Sequence, residues 1–180
     1  PETVGLNYGW NRPVSFDESV FAGSSDSTYL RQAWQFMMAG GAVFNNLDYS
    51  FYVGKEDGTG VNKAPGGGST NLRKQLTFLR SFIESLDFAE MKPDFQVVVH
   101  SPGSEVQAIS QPGYQYAMVF TGNSTKWVKL HLPKGKYNFE FVSPFNGKPL
   151  KKGFFSQTGK DACELKLPEF GEMVALKIWK

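Results

Sequence analysis

Asp17 and Glu18 are the first residues of the chain whose types could do chemistry together. They close the run Arg12-Pro13-Val14-Ser15-Phe16-Asp17-Glu18-Ser19, which reads as a short strand ending in two acids. Paired carboxyls are the machinery of glycosidic bond hydrolysis, one as nucleophile or base and one as acid. In the retaining form the two lie about 5 to 5.5 Å apart. Neighbours on a pleated strand point to opposite faces, so Asp17 and Glu18 are not each other's partner. One of them would face a site and the other would make a structural hydrogen bond; the competing reading of the dipeptide is an exposed turn.

A second set closes the run Ala42-Val43-Phe44-Asn45-Asn46-Leu47-Asp48-Tyr49, apolar at its start and polar at its end. Asn45, Asn46 and Asp48 could hydrogen-bond hydroxyl groups, and Tyr49 could stack on a flat ligand face; the same residues are also common loop caps. The loop from Tyr52 to Ser69 adds Glu56 and Asp57. With Asp48 these carboxylates could suggest calcium, but the twelve-residue calcium-loop spacing is absent and no metal is expected. Gly66-Gly67-Gly68 precedes a helical pattern without the Lys-Ser/Thr ending of a phosphate loop or a GxGxxG spacing, and reads as a flexible connector. His100 and His131 fall in strand-like runs and read as structural. No GxSxG elbow accompanies them, and Cys163 is the single cysteine. The glycosylation pattern Asn123-Ser124-Thr125 is short enough to arise by chance.

These residues need elements to hold them. A helix is expected after Asp26 or Ser27, with Tyr29, Leu30, Ala33, Trp34, Met37 and Met38 on one face and Gly40-Gly41 as its stop. A second helix follows Ser69 or Thr70, with Leu72, Leu76, Leu79, Ile83 and Leu86 as its buried stripe. The order strand, helix, strand, helix implies a parallel sheet with crossover helices. Acids and amides at the ends of such strands are where a (β/α) barrel places its site. Two units cannot close a barrel; they would be its last quarter.

The pattern changes at Met91-Lys92-Pro93-Asp94, where proline disfavours further helix. Beyond it stand only short alternating runs and turns: Phe95–His100, Glu105–Ser110, Tyr114–Thr121, Lys126–Leu132, Lys136–Val142, Cys163–Leu167 and Met173–Trp179, with a weak strand near Phe154-Phe155. Such spacing predicts an antiparallel β-sandwich. The fold class is therefore α/β plus all-β: residues 1–92 the last two β/α units of a TIM barrel, residues 93–180 the sandwich. Residues 1–92 carry 8 basic and 10 acidic residues, and residues 93–180 carry 11 and 7. The total of +2 argues against a nucleic-acid partner, and no run approaches the roughly 18 apolar residues of a membrane span. Opening at Pro1 without a signal peptide, the chain reads as a fragment.

The stretches RPVSFDES, YLRQAWQFMMAGGAVFNNLDYSF and PGGGSTNLRKQLTFLRSFIESLDFAEMKPD resemble the end of a bacterial glycoside hydrolase barrel of clan A type, near cellulase-like and apiosidase-like (DUF4038-type) proteins. The segment YQYAMVFTGNSTKWVKLHLPKGKYNFEFVSPFNGKPL is similar to the collagen-binding-domain-like sandwich that follows such barrels. The resemblance implies strand 7 ending at Glu18 as nucleophile, with Asp17 kept as a candidate. It also implies strand 8 over Ala42–Tyr49 and a final helix over Leu72–Leu86. Asn46, Asp48, Tyr49 and Glu56 would bind a carbohydrate substrate. No cofactor is implied. The acid/base residue would lie on the missing N-terminal barrel portion, supplied in cis or by another chain, so the isolated chain should be inactive. The setting would be periplasmic or extracellular. Two other readings stand beside this one: a non-catalytic carbohydrate- or matrix-binding module, and a sandwich that only braces the barrel.

Overall fold

The computed structural model describes residues 2–18, 22–61, 66–122, 125–159 and 161–180. A short helix α1 (Glu2–Asn7) precedes strand β1 (Ser15–Phe16), helix α2 (Asp26–Met38), strand β2 (Val43–Phe44) and helix α3 (Thr70–Glu84). Strands β3 (Lys92–Pro93), β4 (Val98–His100), β5 (Glu105–Gln111), β6 (Gln115–Thr121) and β7 (Trp127–Leu130) follow, then β8 (Gly135–Val142), β9 (Pro149–Gln157), β10 (Cys163–Lys166) and β11 (Met173–Trp179). Among the described residues no helix is long and apolar enough to cross a membrane.

The strand–helix–strand–helix order of the first part is as expected, but its strands are shorter. β1 and β2 run parallel with Ser15 opposite Val43 and Phe16 opposite Phe44. Hydrogen bonds extend the pairing at both ends, from Ala42 N to Val14 O at 2.9 Å and from Asn45 N to Phe16 O at 2.9 Å. Among the described residues neither strand has a second neighbour. A parallel pair draws its stability from flanking strands and from helices on its faces. Among the described residues α2 covers one face: Phe16 stacks on Phe36 at 5.4 Å between centroids.

Helix α2 begins at Asp26, with Ser25 in the cap position, ahead of both expected caps, Asp26 and Ser27. Asp26 thus falls in the first turn, where a negative charge faces the positive end of the helix dipole. The stop is as expected: Gly40 takes φ +97, and its N–H and that of Gly41 return to Met37 O and Phe36 O, both at 3.0 Å.

Helix α3 is capped by Ser69, whose Oγ accepts from Leu72 N at 2.9 Å and donates to Asp26 Oδ2 at 2.7 Å. One hydroxyl therefore caps α3 and ties it to the start of α2. The buried stripe is turned from the expected one: Leu72, Gln75, Leu79 and Phe82 are deepest, while Leu76, Ile83 and Leu86 are half-buried. The reason is lateral. Phe82 meets Trp34 of α2 edge-on at 5.1 Å. Leu76 and Ile83 instead border a groove of about 400 Å³ shared with Met37, Val43 and Phe44.

All pairings in the second part are antiparallel, in a six-stranded sheet ordered β3-β5-β6-β11-β8-β9 and a three-stranded sheet ordered β10-β7-β4. Val128, Leu130 and Leu165 of the smaller sheet share one buried cluster with Met118, Phe120, Phe141, Leu176 and Ile178 of the larger. The other face of the larger sheet, through Ile109, Ala117, Val119 and Ala175, joins the core built by α2 and α3. β6 is thus apolar on both faces, which accounts for its unbroken Ala117-Met118-Val119-Phe120 run.

Two of the expected strands shift. Phe95 to Val97 form a turn held by Asp94, whose Oδ1 accepts from Gln96 N at 3.0 Å and Val97 N at 2.9 Å. The weak strand near Phe154-Phe155 is instead the nine-residue β9, paired along its length with β8. The expected boundary between residues 92 and 93 falls inside β3, where Lys92 pairs with Ser110 and Pro93 with Ile109 of the larger sheet.

Candidate active-site edge

Because β1 and β2 are parallel and in register, both chains leave the pair on the same edge. Asp17 and Glu18 follow β1 there; Asn45 and Asn46 follow β2. Asp17 and Glu18 are exposed, and among the described residues neither makes an ion pair. The Ser15 hydroxyl donates to Asp17 Oδ1. Ser15 and Asp17 therefore lie on the face averted from α2, opposite the Phe16 ring. Glu18 follows at a bend beyond the last paired residue, so the pleat no longer governs its direction. Asp17 thus makes a local bond to Ser15, and both acids are exposed.

On the second strand Asn46 is buried at 8% exposure, while Asn45 is exposed. Tyr49 is half-buried. Its N–H donates to Gly67 O at 3.0 Å, and its ring lies where a Cβ on Gly66 would stand.

Asp48 is the most heavily engaged of the expected sugar-binding residues. Its Oδ1 accepts from Ser50 N at 3.0 Å and from Ser50 Oγ at 2.6 Å. Its Oδ2 takes Arg73 Nη1 at 2.6 Å. Arg73 also donates to Ser50 Oγ at 2.8 Å, to Gly58 O at 2.7 Å and to Thr70 Oγ1 at 3.2 Å, and its guanidinium lies 4.8 Å from the Phe51 ring centroid. The side chains are 21% and 33% exposed, and one arginine thereby ties Asp48, Ser50 and Gly58 to α3. Burial, the largest influence on the Asp48 carboxyl, pushes its pKa up; the Ser50 bonds and the Arg73 bond and charge together pull it below the ordinary value.

A carboxyl whose folded pKa is depressed adds stability above its unfolded value, and that stability is lost as pH falls through the folded value. Asp48→Asn should therefore lower the urea midpoint near pH 7 and flatten its fall below about pH 4. Parallel pH curves for parent and variant would refute the knot's contribution.

Glu56 is exposed and distant in role. Its Oε1 accepts from Gly54 N at 2.8 Å, which lowers its pKa. Asp57 accepts from Thr59 N at 3.0 Å and Thr59 Oγ1 at 2.8 Å. Asp48, Glu56 and Asp57 thus each serve their own turn, and among the described residues no three acid, His or Cys side chains converge as a metal cage would require.

The glycine run differs from its expected looseness. Gly66, Gly67 and Gly68 are all buried, under Tyr49, Tyr29 and Asp48 respectively. Sequence reasoning also missed Arg73 and the Asp26–Ser69 link. Asp48 and Arg73 stand 25 positions apart, so no local spacing announces the pair.

No family model and no curated protein matches the chain. Solved structures do. The chain aligns with a glycoside hydrolase at TM-score 0.64 and 16% identity, over 87% of this chain and 37% of that one. It aligns with a family 5 glycoside hydrolase from Bacteroides vulgatus ATCC 8482 at TM-score 0.69 and 13% identity, over 94% and 42%. The chain shares its fold with part of solved glycoside hydrolases. A GH30 endoxylanase from Clostridium papyrosolvens C71 aligns at TM-score 0.53 and 10% identity, over 97% and 44%. The chain thus spans less than half the length of each of these neighbours.

Proposed function

We propose that this chain is the closing part of a glycoside hydrolase, with Glu18 as the nucleophile and the acid/base residue on a portion outside this chain. The observation that carries the reading is the parallel pair: β1 and β2 deliver Asp17, Glu18, Asn45 and Asn46 to one edge. In this reading β1 and β2 are strands 7 and 8 of a (β/α) barrel, and the two antiparallel sheets are its attached β-sandwich, of collagen-binding-domain-like type. Support comes from the fold shared with glycoside hydrolases, and from the share of their length, 37–44%, that the chain spans. The open edges of β1 and β2 and the groove beside Leu76 and Ile83 are the surfaces the rest of the barrel would cover.

The mechanism follows from the parts. Glu18 attacks the anomeric carbon while a carboxylic acid on the other side of the site protonates the leaving oxygen; water then releases the sugar. Asn46 would donate to a hydroxyl, and Tyr49 would offer a ring edge beside it. Asp48 acts at one remove, holding the loop through Arg73. A polymeric carbohydrate substrate fits a periplasmic or extracellular setting, which fractionation of the native protein checks.

The test is a paired assay. The full-length protein should hydrolyse a panel of polysaccharides and aryl glycosides, and the 180-residue chain alone should not. Turnover by the isolated chain would overturn the division of the two carboxyls between portions.

A further inference from the structure

A second cleft lies away from the β1–β2 edge, where the end of α3 meets the six-stranded sheet. It has a volume of about 670 Å³ and is lined by Asp87, Gln111, Tyr114, Gln115, Trp179 and Lys180. That is ample for two or three linked sugar rings, within the roughly 300–1,000 Å³ typical of ligand pockets. We propose that this cleft binds a neutral oligosaccharide segment, apart from any site at Glu18.

Its walls are fixed by bonds among themselves. Asp87 N donates to Gln115 Oε1 at 3.2 Å, and Gln115 Nε2 returns to Asp87 Oδ2 at 2.9 Å. Gln115 Nε2 also reaches Gln111 Oε1 at 3.2 Å. On the opposite side Lys180 N donates to Tyr114 O at 3.1 Å, pinning the last residue to the β5–β6 turn. Gln115 thereby spends both amide hydrogens on its neighbours, and the Asp87 carboxylate and the Gln111 amide it holds are the groups left to meet adjacent hydroxyls.

The aromatic pair decides the ligand class. Tyr114 is 65% exposed and Trp179 36%, so both offer ring area to a bound molecule. Flat rings beside carboxylate and amide groups match a molecule with apolar C–H faces and a polar rim, which describes a pyranose.

Charge decides that it is neutral. Lys177, between the two sides, is already paired with Glu140 at 3.1 Å and lies 5.3 Å from the Trp179 ring centroid. Lys180 Nζ rests 5.7 Å from the ring centroids of both Tyr114 and Tyr137. With Glu140 counted against Lys177 and Asp87 against Lys180, the cleft and its ion-pair partner hold no net excess of charge to select a phosphate or polyanion.

The test is native affinity electrophoresis of the full-length protein in gels containing arabinoxylan, glucomannan or hydroxyethyl cellulose, with polygalacturonate as the acidic control. The parent protein should be retarded by at least one neutral polymer. Tyr114→Ala and Trp179→Ala should bind that polymer about tenfold more weakly. Tyr114→Ala should keep the parent Tm, because the ring stands on an exposed turn. Retardation unchanged in Tyr114→Ala, no retardation by any neutral polymer, or retardation by polygalacturonate alone would each overturn the proposal. Failure of Glu18 as nucleophile would leave these readouts untouched, so the two ideas fail separately.

Discussion

A Glu18→Gln full-length protein is expected to lose about 10³-fold in kcat on an aryl glycoside, roughly 4 kcal/mol of barrier. Glutamine keeps the shape of the side chain but can neither form the glycosyl ester nor place a negative charge beside the developing cation. Glu18 is exposed at a bend in this chain, so the loss should come without a fall in Tm. The comparison that gives the result meaning is Asp17→Asn. Asp17 Oδ1 accepts from the Ser15 hydroxyl, and an amide oxygen can accept the same bond. That variant should keep kcat within about tenfold of the parent. Added azide should restore turnover to Glu18→Gly by attacking the anomeric carbon in place of the lost carboxylate, with the aglycone departing. The pleat gives the rival outcome a physical basis: Ser15 and Asp17 share the face averted from α2. Full activity in Glu18→Gln with loss in Asp17→Asn would move the nucleophile by one residue.

How much of this was legible in the sequence depended on how local the cause was. Helix α3 could be read because its cap, Ser69, and its apolar stripe lie within one stretch of chain. Its rotation could not, because Trp34, which draws Phe82 inward, belongs to another helix. The strand β6 could be read as a strand, but not as one buried on both faces, where alternation vanishes. Its two coverings, α2 on one face and the smaller sheet on the other, come from segments on either side of it in the chain. Lys151, Lys152 and Gly153 interrupt the apolar pattern of β9, yet pairing with β8 along its length sustains it as an edge strand.

The site divides along the same line. That acids and amides gather at one edge follows from strand order alone, and the parallel register of β1 and β2 delivers it. What each side chain does there depends on distant partners. Asp48, Asn46 and Tyr49 share one reading in the sequence, as polar groups ending a strand. In the fold Asp48 is bound to Arg73, Asn46 is buried and Tyr49 packs over Gly66. An ion pair spanning 25 residues has no periodicity to reveal it.

Gly68→Ala is the second large effect, and it tests whether the loop is a slack connector or a fitted part. Gly68 sits at φ +127, a conformation nearly closed to residues with a Cβ. An added Cβ would overlap Asp48 Oδ1 and stand 2.8 Å from Tyr49 N. Neither can withdraw easily. Asp48 is held by Ser50 and Arg73, and Tyr49 N is bonded to Gly67 O. Backbone strain and overpacking are each worth about 1–3 kcal/mol, so a loss of about 3 kcal/mol or more in urea unfolding is expected. Gly171→Ala is the control: nothing lies within 4 Å of its added Cβ, and its effect should stay within about 0.5 kcal/mol. Equal midpoints for the two variants would return Gly66 to Gly68 to the role of a loose linker. If the loop is fitted, the damage should extend past stability. The same backbone carries Asn46, Asp48 and Tyr49 from β2 to α3, so, under the proposed function, Gly68→Ala in the full-length protein should raise KM even at temperatures where it remains folded.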